Sequence, residues 1–236
     1  IPLLIHEQNA IAGLTNRLLA PFSATIMAAF PDAFKPSAKL KITGNPVRAD
    51  IAALADPEQR LAQHDQATLN ILVLGGSLGA KRLNEIIPAT LQGLDLQREL
   101  RIVHQCGQQH LAATEADYQQ RKLNAEVKPF IDDIVICPAG SLTMAELAVT
   151  GVASILVPFP YAVDDHQTAN ARYLSDAEAA ILIQESELSV EKLKDILITV
   201  FRSPDQLLQM AVRARSLARP EATETVASLC VEAAHA

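Results

Sequence analysis

VICPAGSLTMAE, residues Val135–Glu146, is a short apolar run that breaks at Pro138 and Gly140 and resumes with helical spacing at Ser141. A buried strand that feeds a helix through a glycine turn is how α/β proteins hold anionic ligands, at the unbonded amides of the helix N-terminus. With Ser141 as the N-cap, a capping box would place its acid or amide at Met144. Glu146 is therefore not needed to finish the helix. Its carboxylate is available to a ligand, and a ribose diol beside a bound diphosphate is the natural candidate. The alternative is an acid favoured by the helix dipole, worth roughly 0.3–1 kcal/mol. The segment alone leaves these two readings level.

Outward from this stretch, short apolar runs alternate with helical patterns along most of the chain. Strands are expected at Leu3–His6, Ala24–Ala28, Leu40–Thr43, Leu69–Leu74, Arg101–Gln105, Val127–Phe130, Val135–Cys137, Ser154–Val157 and Ala180–Ile183. Helices are expected at Ala12–Leu19, Arg48–Leu54, Pro57–His64, Ala80–Leu91, Gln108–Lys122, Leu142–Val149, Asp165–Ser175, Val190–Phe201, Pro204–Leu217 and Ala222–Ala234. Such alternation predicts an α/β protein with parallel sheets covered by helices. The runs from Leu69 to Ile183 suffice for a complete Rossmann-like domain, whereas those before Pro46 do not, and Gly44-Asn45-Pro46 punctuates the boundary. One connection is physically wrong. Only Ile131–Ile134 separates two expected parallel strands, where a crossover needs a dozen or so residues, usually a helix. Either one of these two strands is misassigned or a helix is missing between them, and the reading favoured here is the missing helix.

Composition narrows the function. The chain has 236 residues, 49% hydrophobic and 20% charged, which is globular composition. The formal net charge of −7, with 4% aromatic residues and no Trp, argues against a nucleic-acid partner. The cysteines, Cys106, Cys137 and Cys230, lack metal spacing, HExxH is absent, and no metal or cofactor is expected. A reducing compartment fits these thiols. No apolar run reaches membrane-spanning length. The chain opens at Ile1 inside a strand-like run, which reads as the interior of a longer protein.

Three further loops carry polar chemistry at expected strand ends. Gly75-Gly76-Ser77-Leu78-Gly79 allows close backbone approach to a phosphate or sugar, but lacks the G-x-G-x-x-G spacing, and Gln105 stands where an acid should meet a ribose, so a dinucleotide is disfavoured. Asp164-Asp165-His166-Gln167-Thr168-Ala169-Asn170 could bond sugar hydroxyls through Asp165, His166, Gln167 and Asn170; equally, one aspartate is an N-cap and the others a solvated face. His6-Glu7-Gln8-Asn9 is unusually polar for a loop after a buried strand, unless Asn9 merely caps the next helix. Arg48 could pair with a diphosphate or be a surface residue.

These runs together resemble the MurG family of UDP-N-acetylglucosamine:lipid I N-acetylglucosaminyltransferases. The resemblance rests on HEQNAIAGLTNR, GNPVR, LVLGGSLGA, FIDD, GSLTMAE, VPFPYAVDDHQTANA and ATETVA, in order and nearly end to end. It implies the two-lobed glycosyltransferase B fold: residues 1–45 as the end of the acceptor lobe, 46–218 as a Rossmann-like donor lobe, and 219–236 as a helix packing back toward the first lobe. It implies inverting transfer of N-acetylglucosamine to lipid I, giving lipid II for peptidoglycan, at the cytoplasmic face of the bacterial inner membrane. It extends to peripheral membrane contact through the N-terminal lobe, to roles in cell shape and division, and to cell-wall and division proteins as partners. Carried over by motif, Asn9 and Arg48 line the donor site from the hinge side and Ser77 contacts sugar or diphosphate. Ile131 offers backbone bonds to uracil, Ser141, Leu142, Thr143 and Glu146 hold phosphates and ribose, and Gln167 with His166 and Asn170 reads the sugar hydroxyls. The family's glycine-rich N-terminal loop, with the histidine favoured as general base, is absent; His6 is a weak substitute. The family resemblance places the missing helix after Asp133. Pro138 and Ala139 stand where the family has Arg and Ser. This chain alone is therefore expected to bind the UDP-sugar weakly and to catalyse poorly or not at all. A UDP-N-acetylglucosamine 2-epimerase and a non-catalytic cell-wall complex protein are the alternatives.

Overall fold

The structure, a computed structural model, describes residues 1–62, 67–76, 79–94, 96, 98–126 and 134–235, with only the backbone of 126. Its strands form two parallel sheets. The smaller contains β1 (Leu4–Glu7), β2 (Thr25–Ala28) and β3 (Leu40–Ile42) in sequence order. The larger contains β4 (Thr68–Leu74), β5 (Glu99–Gln105), β6 (Ala125–Glu126), β7 (Ile134–Cys137), β8 (Ala153–Leu156) and β9 (Ala180–Leu182), in the order β6-β5-β4-β7-β8-β9. That order reverses direction between β4 and β7. The crevice outside the carboxyl ends of such a pair is where open α/β sheets bind ligands.

The helices are α1 (Leu14–Leu19), α2 (Ala49–Ala52), α3 (Pro57–Ala62), α4 (Lys81–Gln92), α5 (Leu111–Gln120), α6 (Ser141–Thr150), α7 (His166–Ser175), α8 (Val190–Phe201), α9 (Pro204–Ser216) and α10 (Ala222–His235). Every residue of β7 and β8 is buried, as expected where helices cover both faces of a parallel sheet. Ile71 and Val73 face a core built with Leu83 and Ile87 of α4, Tyr118 of α5 and Leu193 of α8. Leu72, Val135 and Cys137 face the opposite core, with Leu147 of α6 and Ala171 and Leu174 of α7. Ala29 and Phe30, which follow β2, belong to this second core, so the small sheet shares hydrophobic packing with the large one. The ring of Phe30 meets Tyr173 edge-on, centroids 5.0 Å apart.

Six helix starts differ from expectation: α2, α4 and α7 begin one residue later, and α1, α5 and α6 depart as follows. α1 begins at Leu14 rather than Ala12, because Gly13 is extended, and Asn9 does not cap it. The expected helix Gln108–Lys122 divides into a 3-10 turn, Gln108–His110, and α5, after Gly107 at φ 80°. α6 begins one residue earlier than expected: Gly140 is its N-cap and Ser141 its first residue, so the third position is Thr143 rather than Met144. No acid occupies that position under either boundary, and Glu146 remains outside the cap.

The expected strand Val127–Phe130 and the gap expected after Asp133 lie outside the described residues. The described strand at this edge is β6, and its register is informative. Glu126 pairs with Val103, Val103 with Leu72, and Leu72 with Val135. Glu126 and Val135 are thus level in the sheet and three strand spacings apart, about 14 Å.

Candidate functional site

The two loops at the switch point form the mouth of a cavity of about 460 Å³. Gly75 and Gly76 follow β4, while Pro138 and Gly140 follow β7; Gln105, Arg48, Thr143, Glu146 and Gln167 complete the rim. Gly76 has φ 73°, and a side chain there would meet open space, so the glycine serves backbone conformation rather than packing. Gly79, at φ 77°, is tightly enclosed: a Cβ would collide with the Cys106 carbonyl.

α6 presents its N-terminus to this mouth. Its first helical hydrogen bond runs from the Met144 amide to the Gly140 carbonyl, so the amides of Ser141, Leu142 and Thr143 precede the ladder. These amides and the helix dipole favour an anion. Glu146 lies one turn on, with its Oε1 4.0 Å from Nε of Arg48; the same Nε is 3.9 Å from Asp50. Burial pushes the Glu146 carboxyl above the ordinary carboxylate range, Arg48 opposes this, and Asp50 adds to it. Arg48 is largely exposed, and such a pair contributes under about 1 kcal/mol. The guanidinium therefore remains available to a phosphate at little cost.

The structure brings together Arg48, Thr143, Glu146 and Gln167 at one rim, with Ser141 buried beneath it. Gln167 accepts from the Phe159 amide at 3.0 Å through Oε1, leaving its NH2 for a ligand. Leu142 is 48% exposed and not part of the cavity lining, so its contribution is confined to its amide. His166 Nδ1 donates to the Val163 carbonyl at 2.7 Å, outside the lining residues. Ser77 and Ile131 lie outside the described residues.

Asn170 requires a correction. It is fully buried, accepts from the Ala10 amide at 2.8 Å, and donates to Asn9 Oδ1 and the Ala139 carbonyl, both at 3.1 Å. Its hydrogen-bonding capacity is spent inside the protein, so it is a strut rather than a reader of sugar hydroxyls. Asn9 is the other half of this strut and does not line the cavity. His6 likewise faces inward, with Nε2 donating to the Gly44 carbonyl at 3.1 Å.

Two residues that the sequence reading named only as members of their loops matter as much. Glu7, 4% exposed, accepts from the Asn9 and Gly13 amides and from Asn16 Nδ2, all at 2.9 Å, and thereby shapes the polar loop after β1. Burial pushes its carboxyl up, but these hydrogen bonds outweigh it and hold the carboxyl below the ordinary range. Asn45, 2% exposed, donates to the Gln8 carbonyl at 3.0 Å and the Ser141 carbonyl at 3.2 Å. The Gly44-Asn45-Pro46 break is thus a fastened joint against the first residue of α6. Among the described residues, no group of three or more His, Cys, Asp or Glu is placed to hold a metal ion.

The comparisons with known proteins agree with this geometry. The model of the glycosyltransferase family 28 C-terminal domain matches residues 70–226. A UDP-N-acetylglucosamine–N-acetylmuramyl-(pentapeptide) pyrophosphoryl-undecaprenol N-acetylglucosamine transferase of Nitrosomonas europaea is 50% identical over 239 residues, covering 97% of this chain and 66% of the relative. The protein of the same name from Burkholderia lata is 48% identical over 248 residues, covering all of this chain and 66% of the relative. The crystal structure of Acinetobacter baumannii MurG superposes with a TM-score of 0.84 at 43% identity, covering 97% of this chain and 66% of that one. The chain thus spans 66% of the length of these relatives. Its architecture is of the glycosyltransferase B type, and the chain belongs to glycosyltransferase family 28 and, within it, to the MurG family.

Proposed function

We propose that the protein transfers N-acetylglucosamine from UDP-N-acetylglucosamine to lipid I, forming lipid II. The observation that carries this reading is the convergence, at one cavity mouth, of the α6 amides with Arg48 and Glu146. The amides and Arg48 take the diphosphate, and Glu146 accepts from the ribose diol. Gln167 supplies its free NH2 to the sugar. Residues 1–45 end the acceptor lobe, 46–218 form the donor lobe, and 219–236 return to the junction. The last assignment draws on Thr223, whose hydroxyl donates to the Val47 carbonyl at 3.4 Å, and on Arg219, which packs against Gly44.

In the reaction, the acceptor hydroxyl oxygen attacks the anomeric carbon from the face opposite UDP. The bond to the diphosphate oxygen breaks, UDP leaves with the electron pair, and the configuration inverts. Charge grows on the departing diphosphate, and the amides of Ser141–Thr143 and Arg48 are already oriented to meet it. The hydroxyl proton needs a base. His6, tied to Gly44, is poorly placed to provide it. The relatives' acceptor is named as undecaprenol-linked, which supports work at a membrane surface; the cytoplasmic side, without insertion, is part of the same proposal. Among the described residues, no helix is long and apolar enough to cross a membrane. Roles in cell shape and division, with cell-wall and division proteins as partners, follow from the supply of lipid II.

Calorimetric titration with UDP and with UDP-N-acetylglucosamine tests the donor assignment. Saturable binding of both is expected, with little or no turnover of lipid I by this chain alone. An absence of binding to either ligand would sink the reading.

A further inference from the structure

A chain of polar side chains runs through the core beneath α4 and α5, which is otherwise built of Ile71, Leu83, Ile87 and Ile102. Its members are Asn84 of α4, His104 of β5 and Tyr118 of α5, all buried. The Asn84 amide lies 3.0 Å from the Cys106 carbonyl and 3.0 Å from Nε2 of His104, and Nδ1 of His104 lies 2.9 Å from the Tyr118 hydroxyl. One backbone group fixes every proton among them. A carbonyl only accepts, so Asn84 turns its NH2 to Cys106 and its Oδ1 to His104. His104 must then carry its proton on Nε2, and Nδ1 is left to accept from Tyr118. Burial keeps the ring neutral by pulling its pKa down to about 4. All three bonds therefore point one way, from Tyr118 to the Cys106 carbonyl, so that each polarises the next.

That carbonyl is where the glycine loop after β4 is seated. The Gly75 amide donates to the Gln105 carbonyl at 2.8 Å. Gly79 rests so closely on the Cys106 carbonyl that a Cβ would collide with it. α4 starts at Lys81 and sends Asn84 back to the same carbonyl. The dipeptide Gln105-Cys106 thus holds the first glycine of the loop, its last glycine and the helix that follows. Gly75, Gly76 and Gln105 line the cavity assigned to the sugar nucleotide. Apolar side chains of the same shape in place of two bonded polar ones are often near neutral in stability. What the polar chain adds is direction: it holds the Cys106 carbonyl in one orientation, and the loop stands on it.

We infer that Asn84, His104 and Tyr118 are positioning residues: they orient the Cys106 carbonyl beneath the glycine loop and so set the affinity for the sugar nucleotide without touching it. The effect on affinity rests on the proposed donor assignment, whereas the hold on the loop rests on the hydrogen bonds and the packing of Gly79 alone.

The test compares the full parent chain with two variants. Tyr118→Phe removes the first donor of the chain and keeps the ring. Leu193→Val loses packing in the same core without touching the chain. Calorimetric titration with UDP-N-acetylglucosamine, at a temperature far below each unfolding midpoint, reads the folded protein alone. Nitrogen-15 NMR reads the amides of Gly75, Gly76 and Gly79 and the ring nitrogens of His104. The parent is expected to show the neutral Nε2–H tautomer. Tyr118→Phe is expected to move the glycine amides and to weaken the sugar nucleotide about two- to tenfold, the worth of one neutral hydrogen bond. Leu193→Val is expected to lower the midpoint and leave both the amides and the affinity unchanged. An Nδ1–H tautomer in the parent, unmoved glycine amides or an unchanged affinity in Tyr118→Phe, or an equal loss of affinity in Leu193→Val would overturn the inference. A parent that binds no sugar nucleotide fails the donor assignment instead, and the tautomer and the glycine amides then decide whether the chain holds the loop.

Discussion

Glu146 carries a cost in the free protein, and the proposed ribose role gives that cost a purpose. Its carboxyl is partly buried and its protonation is favoured in the fold, so the folded state holds a proton more tightly than the unfolded chain. Stability therefore falls as pH rises through the interval above the ordinary glutamate value of 4.5. Glu146→Gln should leave the free protein equally stable or slightly more so at neutral pH, with a rise in midpoint of no more than ~2 °C. The same change should weaken UDP binding by roughly 1.5–3 kcal/mol, the worth of hydrogen bonds to a charged group, which calorimetry reads directly. An unchanged dissociation constant would remove Glu146 from the ribose. Glu7 has the opposite sign. Its folded carboxyl is held below 4.5, so its contribution is present at neutral pH and is lost as the solution is acidified through and below that value. His104 adds a second acid-sensitive term. Burial pulls its imidazole down from 6.5 to about 4, and it lies between Tyr118 Oη at 2.9 Å and Asn84 Oδ1 at 3.0 Å. The unfolded chain takes up this proton first as pH falls from 6.5 toward 4. Stability worth up to about 3 kcal/mol should disappear across that window. An NMR titration that finds His104 protonating near 6.5 in the folded protein would contradict this.

At the scale of elements, the site is a matter of which loops meet. The strand–turn–helix periodicity around β4, β7 and β8 was legible because buried parallel strands are continuous apolar runs and their helices start at glycine or polar breaks. The rim was partly legible for the same reason: Thr143, Glu146 and Gln167 follow strand ends, and in an open α/β sheet strand ends converge. Asn170 was misread because its partners, Ala10 and Asn9, stand 160 and 161 residues away, and nothing in a local pattern tells an exposed polar helix residue from a buried strut. Asn45 was hidden likewise, since its bond to Ser141 spans 96 residues. The start of α6 was displaced by one residue because Gly140 and Ser141 both suit an N-cap. Gly79 is a position where element geometry gives a sharp expectation. It combines φ 77° with a Cβ position blocked by the Cys106 carbonyl and the His110 ring, which lies 2.8 Å away. Gly79→Ala should therefore destabilise the loop after β4 by about 1–3 kcal/mol and weaken UDP binding with it. A variant with parental stability in urea would show that the loop accommodates the methyl group without strain.

For the whole molecule, the question is whether the small sheet is a separate unit or part of the large one. Three parallel strands with one short flanking helix cannot bury enough apolar surface to stand alone. Here the small sheet borrows a core: Ala29 and Phe30 pack among Leu147, Ala148 and Leu174 of the large unit. Two buried asparagines fasten the junction, Asn170 to Ala10 and Asn9, and Asn45 between Gln8 and Ser141, while Arg17 reaches Asp164 at 3.5 Å on the surface. The surface pair is a minor term, but the asparagines are not. Truncating either to alanine leaves buried backbone groups unpaired, at about 1–3 kcal/mol each. The parent chain should therefore unfold in one calorimetric transition, with van't Hoff and calorimetric enthalpies equal. The double variant Asn45→Ala/Asn170→Ala should uncouple the small sheet, which melts first, followed by the large unit near the parental midpoint. Two transitions in the parent would show that the shared core, not merely the asparagine joint, is weaker than its packing indicates. A single unshifted transition in the double variant would place the coupling wholly in Phe30 and its neighbours. The distinction bears on the proposed chemistry, because Asn45 holds the Ser141 carbonyl, and a loosened junction releases the first turn of α6, the proposed seat of the diphosphate.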